Sequence, residues 1–361
     1  MFPIIFPLRQ GIRFDRIRKH PYFSFPYPNR LPLSRMKVYF TWDYELYFGR
    51  PTGSAENCMI KPSQQLLGMV KKYALPMTFF VDCGYLLRLR EQQHKYAALR
   101  HEYEAVCRQI DDIVRSGSEV QLHIHPHWED SFYNGREWVM NVNRYKLADF
   151  SKEEAASIIT SYTTLLREIS GQPVNAYRAG GWCMQPFSHI AEALHQNGIR
   201  IDSSVFKGGY FQSDLYAYDF RSCPSAELWR FNEDPCVKEA NGRFLELPIS
   251  NYILSPLFFW KLFILGRLKP DMHKPIGNGK PVPSPGMRKK YLTSFTNHYV
   301  SAEGYFVNQL PAALRNPNRT MLNVLGHPKA CTPYSLHYLD RFFARYAGKH
   351  QFLKVSDALN G

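Results

Sequence analysis

The stretch Val120-Gln121-Leu122-His123-Ile124-His125-Pro126-His127 sets the reading of the chain. On an extended backbone, alternation sends Val120, Leu122 and Ile124 to one face and His123 and His125 to the other. Pro126 then ends the ladder, and the turn it starts can bring His127 back toward His123. Three imidazoles this close have the donor chemistry of a metal site, because neutral imidazole suits zinc and other borderline divalent ions. A solvent-exposed or internally satisfied histidine cluster is the alternative.

Around this segment, strand and helix signals alternate. Strands are expected at 36–41, 77–81, 119–124, 174–177, 199–202, 244–247, 320–325 and 352–355. Helical spacing covers 63–73, 94–116, 186–196 and 334–346, and Ser151-Lys152-Glu153-Glu154 reads as a capping box opening another helix. Repeated βα units imply an α/β protein with a parallel sheet, open or closed into a barrel. Ligands of such sheets sit at the C-terminal ends of the strands. The polar residues gather there: Asp43 and Glu45 after the first strand, the histidines after the third, then Arg178, Asp202 and His327 after later strands.

Composition narrows the classes. The 361 residues carry a net charge of +14, and 45% are hydrophobic. Residues 1–35 hold seven basic residues against Asp15 alone, together with six prolines, and show no periodicity. They read as an upstream extension or flexible arm, with Met36 as the true start and 36–361 as one catalytic domain. Without the arm, the basic excess no longer argues for nucleic acid, and no nucleic-acid-binding motif is present. The seven cysteines are scattered without a C-x-x-C pair, which suits reduced thiols in a cytoplasmic protein. No run of apolar residues is long enough for a conventional membrane span.

A hydrolytic zinc site needs three protein ligands and an open position. Two histidines leave one to find, most simply a carboxylate. Thr41-Trp42-Asp43-Tyr44-Glu45 offers two acids on one strand face; one can bind metal while the other takes a proton from the attacking water.

The ordered motifs Thr41-Trp42-Asp43-Tyr44-Glu45, His123-x-x-x-His127, Tyr177-Arg178-Ala179-Gly180-Gly181, Ile201-Asp202-Ser203-Ser204 and Leu325-Gly326-His327 resemble those of polysaccharide deacetylases. These form carbohydrate esterase family 4, the NodB-homology domain. The resemblance runs from about Met36 to the closing Phe352–Leu359, interrupted over about 210–315. It implies a distorted (β/α)7 barrel with a long irregular insertion between late strands, and a zinc ion or another divalent transition metal. Carried over, Asp43 looks like the catalytic base, His123 and His127 like metal ligands, Arg178 like the arginine orienting the base, and His327 like the acid serving the leaving amine. The family's second aspartate is replaced here by Tyr44, so Glu45 is the expected third ligand; if it falls short, either Asp43 becomes a ligand and the base is lost, or His125 joins the metal.

The implied activity is metal-dependent removal of an acetyl or formyl group from an amino sugar of a surface polysaccharide or lipid-linked saccharide. A non-sugar amide substrate, or a silent carbohydrate-binding protein, are the alternatives. Trp128, Trp138 and Trp182 could stack on sugar rings or fill the core, Asp202 could serve the site or cap a turn, and His125 is placed with the substrate contacts. Residues 252–269, bulky and apolar with Lys261, Arg267 and Lys269, read either as an amphipathic helix at the inner face of a membrane or as an internal lid. The membrane reading makes a polyprenyl-phosphate-linked sugar a natural substrate.

Overall fold

The computed structural model describes residues 35–282 and 286–360; the arm expected over 1–35 falls, Arg35 apart, outside them. The main strands are β1 (Lys37–Tyr44), β2 (Thr78–Asp82), β3 (Glu119–Ile124), β4 (Ala176–Ala179), β5 (Ile201–Asp202), β6 (Trp229–Phe231), β7 (Phe244–Glu246), β8 (Asn251–Leu254), β9 (Thr296–Tyr299), β10 (Met321–Gly326) and β11 (Gln351–Leu353), beside two short hairpins, Phe132–Tyr133 with Trp138–Val139 and Tyr210–Gln212 with Ala217–Asp219. The main helices are α1 (Lys61–Tyr73), α2 (Cys83–Gln92), α3 (Ala97–Arg115), α4 (Lys152–Ser170), α5 (Ala191–Gln196), α6 (Pro256–Leu268), α7 (Met287–Thr293) and α8 (Pro333–Tyr346).

Nine strands form one curled sheet in the order β6-β7-β5-β4-β3-β2-β1-β10, with β11 beside the start of β1. All pairings are parallel except that of β6 with β7. The α/β protein with a parallel sheet expected from the alternation is therefore present, its sheet curled into a half-barrel. Its open side is bridged by hydrogen bonds. Asn323 of β10 donates from Nδ2 to Ser203 Oγ (3.0 Å) and to the Leu247 carbonyl (3.2 Å), and its own carbonyl accepts from the Ser250 amide at 2.9 Å.

The period of two along β1 builds the interior. Val38, Phe40, Trp42 and Tyr44 lie outside the sheet in the main hydrophobic core, each side chain contributing about 1.5–3 kcal/mol on full burial. Tyr39, Thr41, Asp43 and Glu45 climb the opposite, interior face. At the bottom Tyr39 packs with Phe80, Ala176, Ile201 and Leu245; the polar residues lie above.

Strand β1 runs further than expected, so Asp43 lies within the strand and Glu45 just after it. The single helix expected over 94–116 is preceded by a separate one, α2, opening at Cys83 directly from β2. The Ser151 cap forms as read: its Oγ accepts from the Glu154 amide at 3.1 Å, and Glu154 accepts from the Ser151 amide at 2.8 Å. The interval 210–315 holds β6 and β7 of the main sheet, then an antiparallel β8–β9 pair enclosing α6 and α7. Among the described residues, no helix is long and apolar enough to cross a membrane.

A candidate metal and acid–base site

At the C-terminal ends of β1 and β3, three side chains converge. Oε2 of Glu45 lies 2.7 Å from Nε2 of His125 and 3.1 Å from Nε2 of His123. All three residues are buried, and their ligand atoms lie mutually within 4.8 Å. The alternation explains the pair: the backbone remains extended through His125, so residues two apart keep one face.

His127 is not part of this group. Pro126 starts a 3-10 turn over Pro126–Asp130 that ends the alternation. The His127 ring stacks on Tyr145 (5.4 Å between centroids, 7° between planes) and meets Phe48 edge-on. Neither of its ring nitrogens has a partner, and burial holds its pKa well below the ordinary value. The expected His-x-x-x-His pair is thus replaced in space by His123-x-His125, because the turn carries His127 off the strand face.

His123 donates from Nδ1 to the Arg178 carbonyl at 2.8 Å, and its Nε2 faces Glu45 at 3.1 Å. Burial opposes a proton on this ring, but Asp43 and then Glu45 outweigh it and raise its pKa to about 9; a metal cation would take the place of that proton between Nε2 and the carboxylate, and the backbone contact fixes the ring as outer partners of metal-bound histidines do. The ring of His125 lies where a Cβ on residue 180 would fall, so Gly180 makes room for it. The donor set of one carboxylate and two imidazoles therefore fits a zinc-class ion.

Asp43 stands beside the cluster. Its Oδ1 accepts from Nη1 of Arg178 at 2.7 Å, while Oδ2 faces Nε2 of His327 at 3.7 Å and Nε2 of His123 at 3.9 Å. Arg178 is fully buried. It is held by Thr41 Oγ1 (3.0 Å), Ser203 Oγ (3.0 Å) and the Ser203 carbonyl (2.8 Å), with its guanidinium over the Phe80 ring. Burial raises the Asp43 pKa, but the Arg178 guanidinium, with His123 and His327, outweighs it and holds the carboxyl below the usual range.

Three contributors were not read from the sequence. Lys329 donates to Oε1 of Glu45 and to the Leu46 carbonyl, both at 2.7 Å. Against the cost of burial, Lys329 and the two histidines hold Glu45 well below its ordinary pKa. Glu303 accepts from the amide and Nδ1 of His327 at 2.8 and 3.1 Å. Burial opposes a proton on His327, but Glu303 and then Asp43 outweigh it and raise its pKa. Lys329 follows the Leu-x-His motif by two residues, a signal within reach; Glu303 lies in the unplaced interval. Tyr216 joins Trp182 in walling the cleft, which has a volume of 230 Å³.

The other expected substrate contacts divide. Trp182 lines the cleft, half-buried against Phe206 and Tyr218. Trp128 is fully buried outside it, packed on Tyr85 and Trp138, and donates to Asp82 at 2.6 Å. Asp202 caps a turn, accepting from the amide and hydroxyl of Ser204 at 2.8 Å each. For both, the core or turn alternative is the one that forms.

No family model and no curated protein matches the chain. Solved structures do. A Mycobacterium smegmatis protein assigned as a polysaccharide deacetylase superposes with a TM-score of 0.51 at 17% identity, over 91% of each chain. The Puue allantoinase superposes with a TM-score of 0.50 at 13% identity, over 92% of this chain and 91% of its own. The likeness establishes the fold: this chain has the barrel architecture found in polysaccharide deacetylases, as the sequence motifs implied.

Proposed function

We propose that the protein is a metal-dependent hydrolase that removes an N-acyl group, acetyl or formyl, from an amino sugar of a surface polysaccharide or lipid-linked saccharide. The convergence of Glu45, His123 and His125 beside the Asp43–Arg178 pair carries this reading. These three residues would hold a zinc-class ion, which supplies Lewis-acid polarisation of the amide carbonyl and a lowered pKa for the attacking water.

Asp43 takes the proton of that water, its Oδ2 free because Arg178 occupies Oδ1. Arg178 fixes the carboxylate in position and keeps it ionised. His327, held by Glu303, gives a proton to the departing amino group. Lys329 orients Glu45 and excludes a second role for its Oε1. Trp182 and Tyr216 offer faces for a sugar ring. A non-sugar amide is the second reading, motivated by a fold shared with an allantoinase.

The protein works at the inner face of a membrane. Leu257, Trp260, Ile264 and Leu268 are 64, 50, 46 and 73% exposed, and helical spacing places them on one face of α6. Over 250–302 the chain carries eight basic residues against Asp271 alone, so the segment that presents the apolar face has a charge complementary to anionic lipid. Acetate or formate release from amino-sugar substrates by zinc-loaded protein, compared with Asp43→Asn, tests the reading. Bound zinc without release from any such substrate defeats it in favour of a binding protein.

A further inference from the structure

On the side of α6 opposite the exposed row lies a second cavity, of 460 Å³, within the roughly 300–1,000 Å³ typical of ligand pockets. Leu262 and Phe263 line it from α6, and Tyr305 and Phe306 from the chain after β9. Arg267 and Arg288 stand on its lining, the latter with its guanidinium 5.2 Å from the Phe263 ring centre. The acid on the described lining, Glu303, is already committed to His327. The lining therefore pairs an apolar interior with two guanidinium groups and no free carboxylate. That combination fits a hydrocarbon chain ending in an anion, and planar guanidinium recognises phosphate through paired donors.

The position adds a second argument. Glu303 stands in the wall of this cavity and also holds His327 at the candidate catalytic centre. The opposite face of α6 carries the exposed apolar row proposed above to meet the membrane. The cavity thus lies between lipid and chemistry.

We infer that this cavity takes the hydrocarbon chain of a lipid phosphate that carries the saccharide, with Arg267 and Arg288 on its phosphate. The inference rests on the hydrolase reading for the identity of the attached sugar, but its binding chemistry stands apart from turnover.

The test is calorimetric titration of the metal-loaded, full-length protein with monododecyl phosphate below its micelle threshold. Saturable one-to-one binding is expected, with dodecanol and inorganic phosphate each weaker by at least about tenfold. Gly266 lines the cavity, and a Cβ there meets nothing within 4 Å. Gly266→Phe therefore places a ring in the chain's path without crowding the helix, and glycine is the poorer helix former. It should weaken dodecyl phosphate binding by about tenfold or more. Arg288→Gln should weaken dodecyl phosphate but not dodecanol. Unchanged affinity in Gly266→Phe overturns the inference. So does equal binding of zwitterionic dodecylphosphocholine, which would make the cavity a site for ordinary bilayer lipid. Acid release by the wild-type protein from a soluble amino sugar reads the catalytic proposal separately. Release with a failed titration removes the cavity site alone; the expected titration without release removes only the chemistry.

Discussion

Gly180 and His125 occupy each other's space: a β-carbon at position 180 would overlap the imidazole at Nδ1, and that ring presents Nε2 to Glu45 at 2.7 Å. The glycine belongs to the Arg178-Ala179-Gly180-Gly181 run. Gly180→Ala should drive His125 off Glu45 and lower zinc affinity by about tenfold or more, as loss of a support for a metal histidine does, with far-ultraviolet circular dichroism unchanged. His127→Ala should leave zinc affinity intact while lowering stability by a few kcal/mol through the cavity it opens. Competition with a chromophoric chelator reads both, and the reverse pattern would restore His127 as the ligand.

The Arg178–Asp43 pair joins chemistry to stability. Asp43→Asn keeps the shape of the site and removes the base, so kcat should fall by about 10²-fold or more with zinc retained. Arg178→Gln leaves a buried carboxylate without its cation, and Asp43→Asn a buried guanidinium without its anion; breaking a buried pair from either side costs about 3–5 kcal/mol. Urea unfolding should therefore place both variants well below wild type, with the double variant losing less than the sum of the two. Midpoints near the wild-type value would mean the guanidinium is held by Thr41 and Ser203 for reasons unrelated to Asp43.

Of the three tryptophans weighed as sugar contacts, Trp182 and Trp128 have different surroundings and should respond differently. Trp182→Ala removes a wall of the cleft and should raise KM with little change in kcat. Trp128→Phe loses the hydrogen bond to Asp82 and should cost about 1–3 kcal/mol of stability with KM unchanged. A raised KM for Trp128→Phe would place it back at the substrate.

Alternation, turn signals and strand-end placement made much of this legible from residues alone. The period of two put Asp43 with Glu45 and His123 with His125, and both pairs converge. What periodicity could not say is how Pro126 would steer the chain beyond the strand, and that turn decides between His125 and His127. The Glu303 and Lys329 contacts depend on loop paths and on a segment with no alternation of its own. Cys223 and Cys236, scattered in sequence, come to 2.8 Å between sulfurs for the same reason. Helix α6 was legible as a bulky apolar segment, but only the fold shows which of its faces is left uncovered.

Asp82 makes stability depend on pH. Burial, the dominant cause, raises its pKa from 3.8 to about 7; Oδ2 accepts from Trp128 while Oδ1 has no partner. Between these two values the folded chain keeps a proton that the unfolded chain has released. The stabilisation is therefore full below the lower value and is lost as pH rises through the upper one. In metal-free protein, the wild type should lose a few kcal/mol relative to Asp82→Asn between about pH 4 and pH 8. Titrating groups that do not feel Asp82 are common to both proteins and cancel in the difference; His123 and Glu45 interact with it and share in the change. Parallel unfolding curves across that range would show that Asp82 ionises freely in the folded state.

The exposed row on α6 predicts where the protein resides. Leu257, Trp260 and Ile264 leave the opposite side of the helix, with Phe258 and Phe259, packed on Tyr291, Tyr305 and Phe306. Trp260 also donates to the Leu292 carbonyl at 3.2 Å, so the test replaces Leu257, Ile264 and Leu268 with glutamine; that removes apolar surface without touching the packed face, and folding should survive. Each such side chain entering a bilayer contributes about 1.5–3 kcal/mol, and the surrounding Lys261, Arg267 and Lys269 favour anionic lipid by about 1 kcal/mol each near the surface. Wild-type protein should float with vesicles containing phosphatidylglycerol, less with neutral vesicles, and less again as salt is raised. The triple variant should stay in the soluble fraction with every lipid. If wild type and variant partition alike, the row is covered by something other than a membrane, and the lipid-linked substrate loses its route to the site.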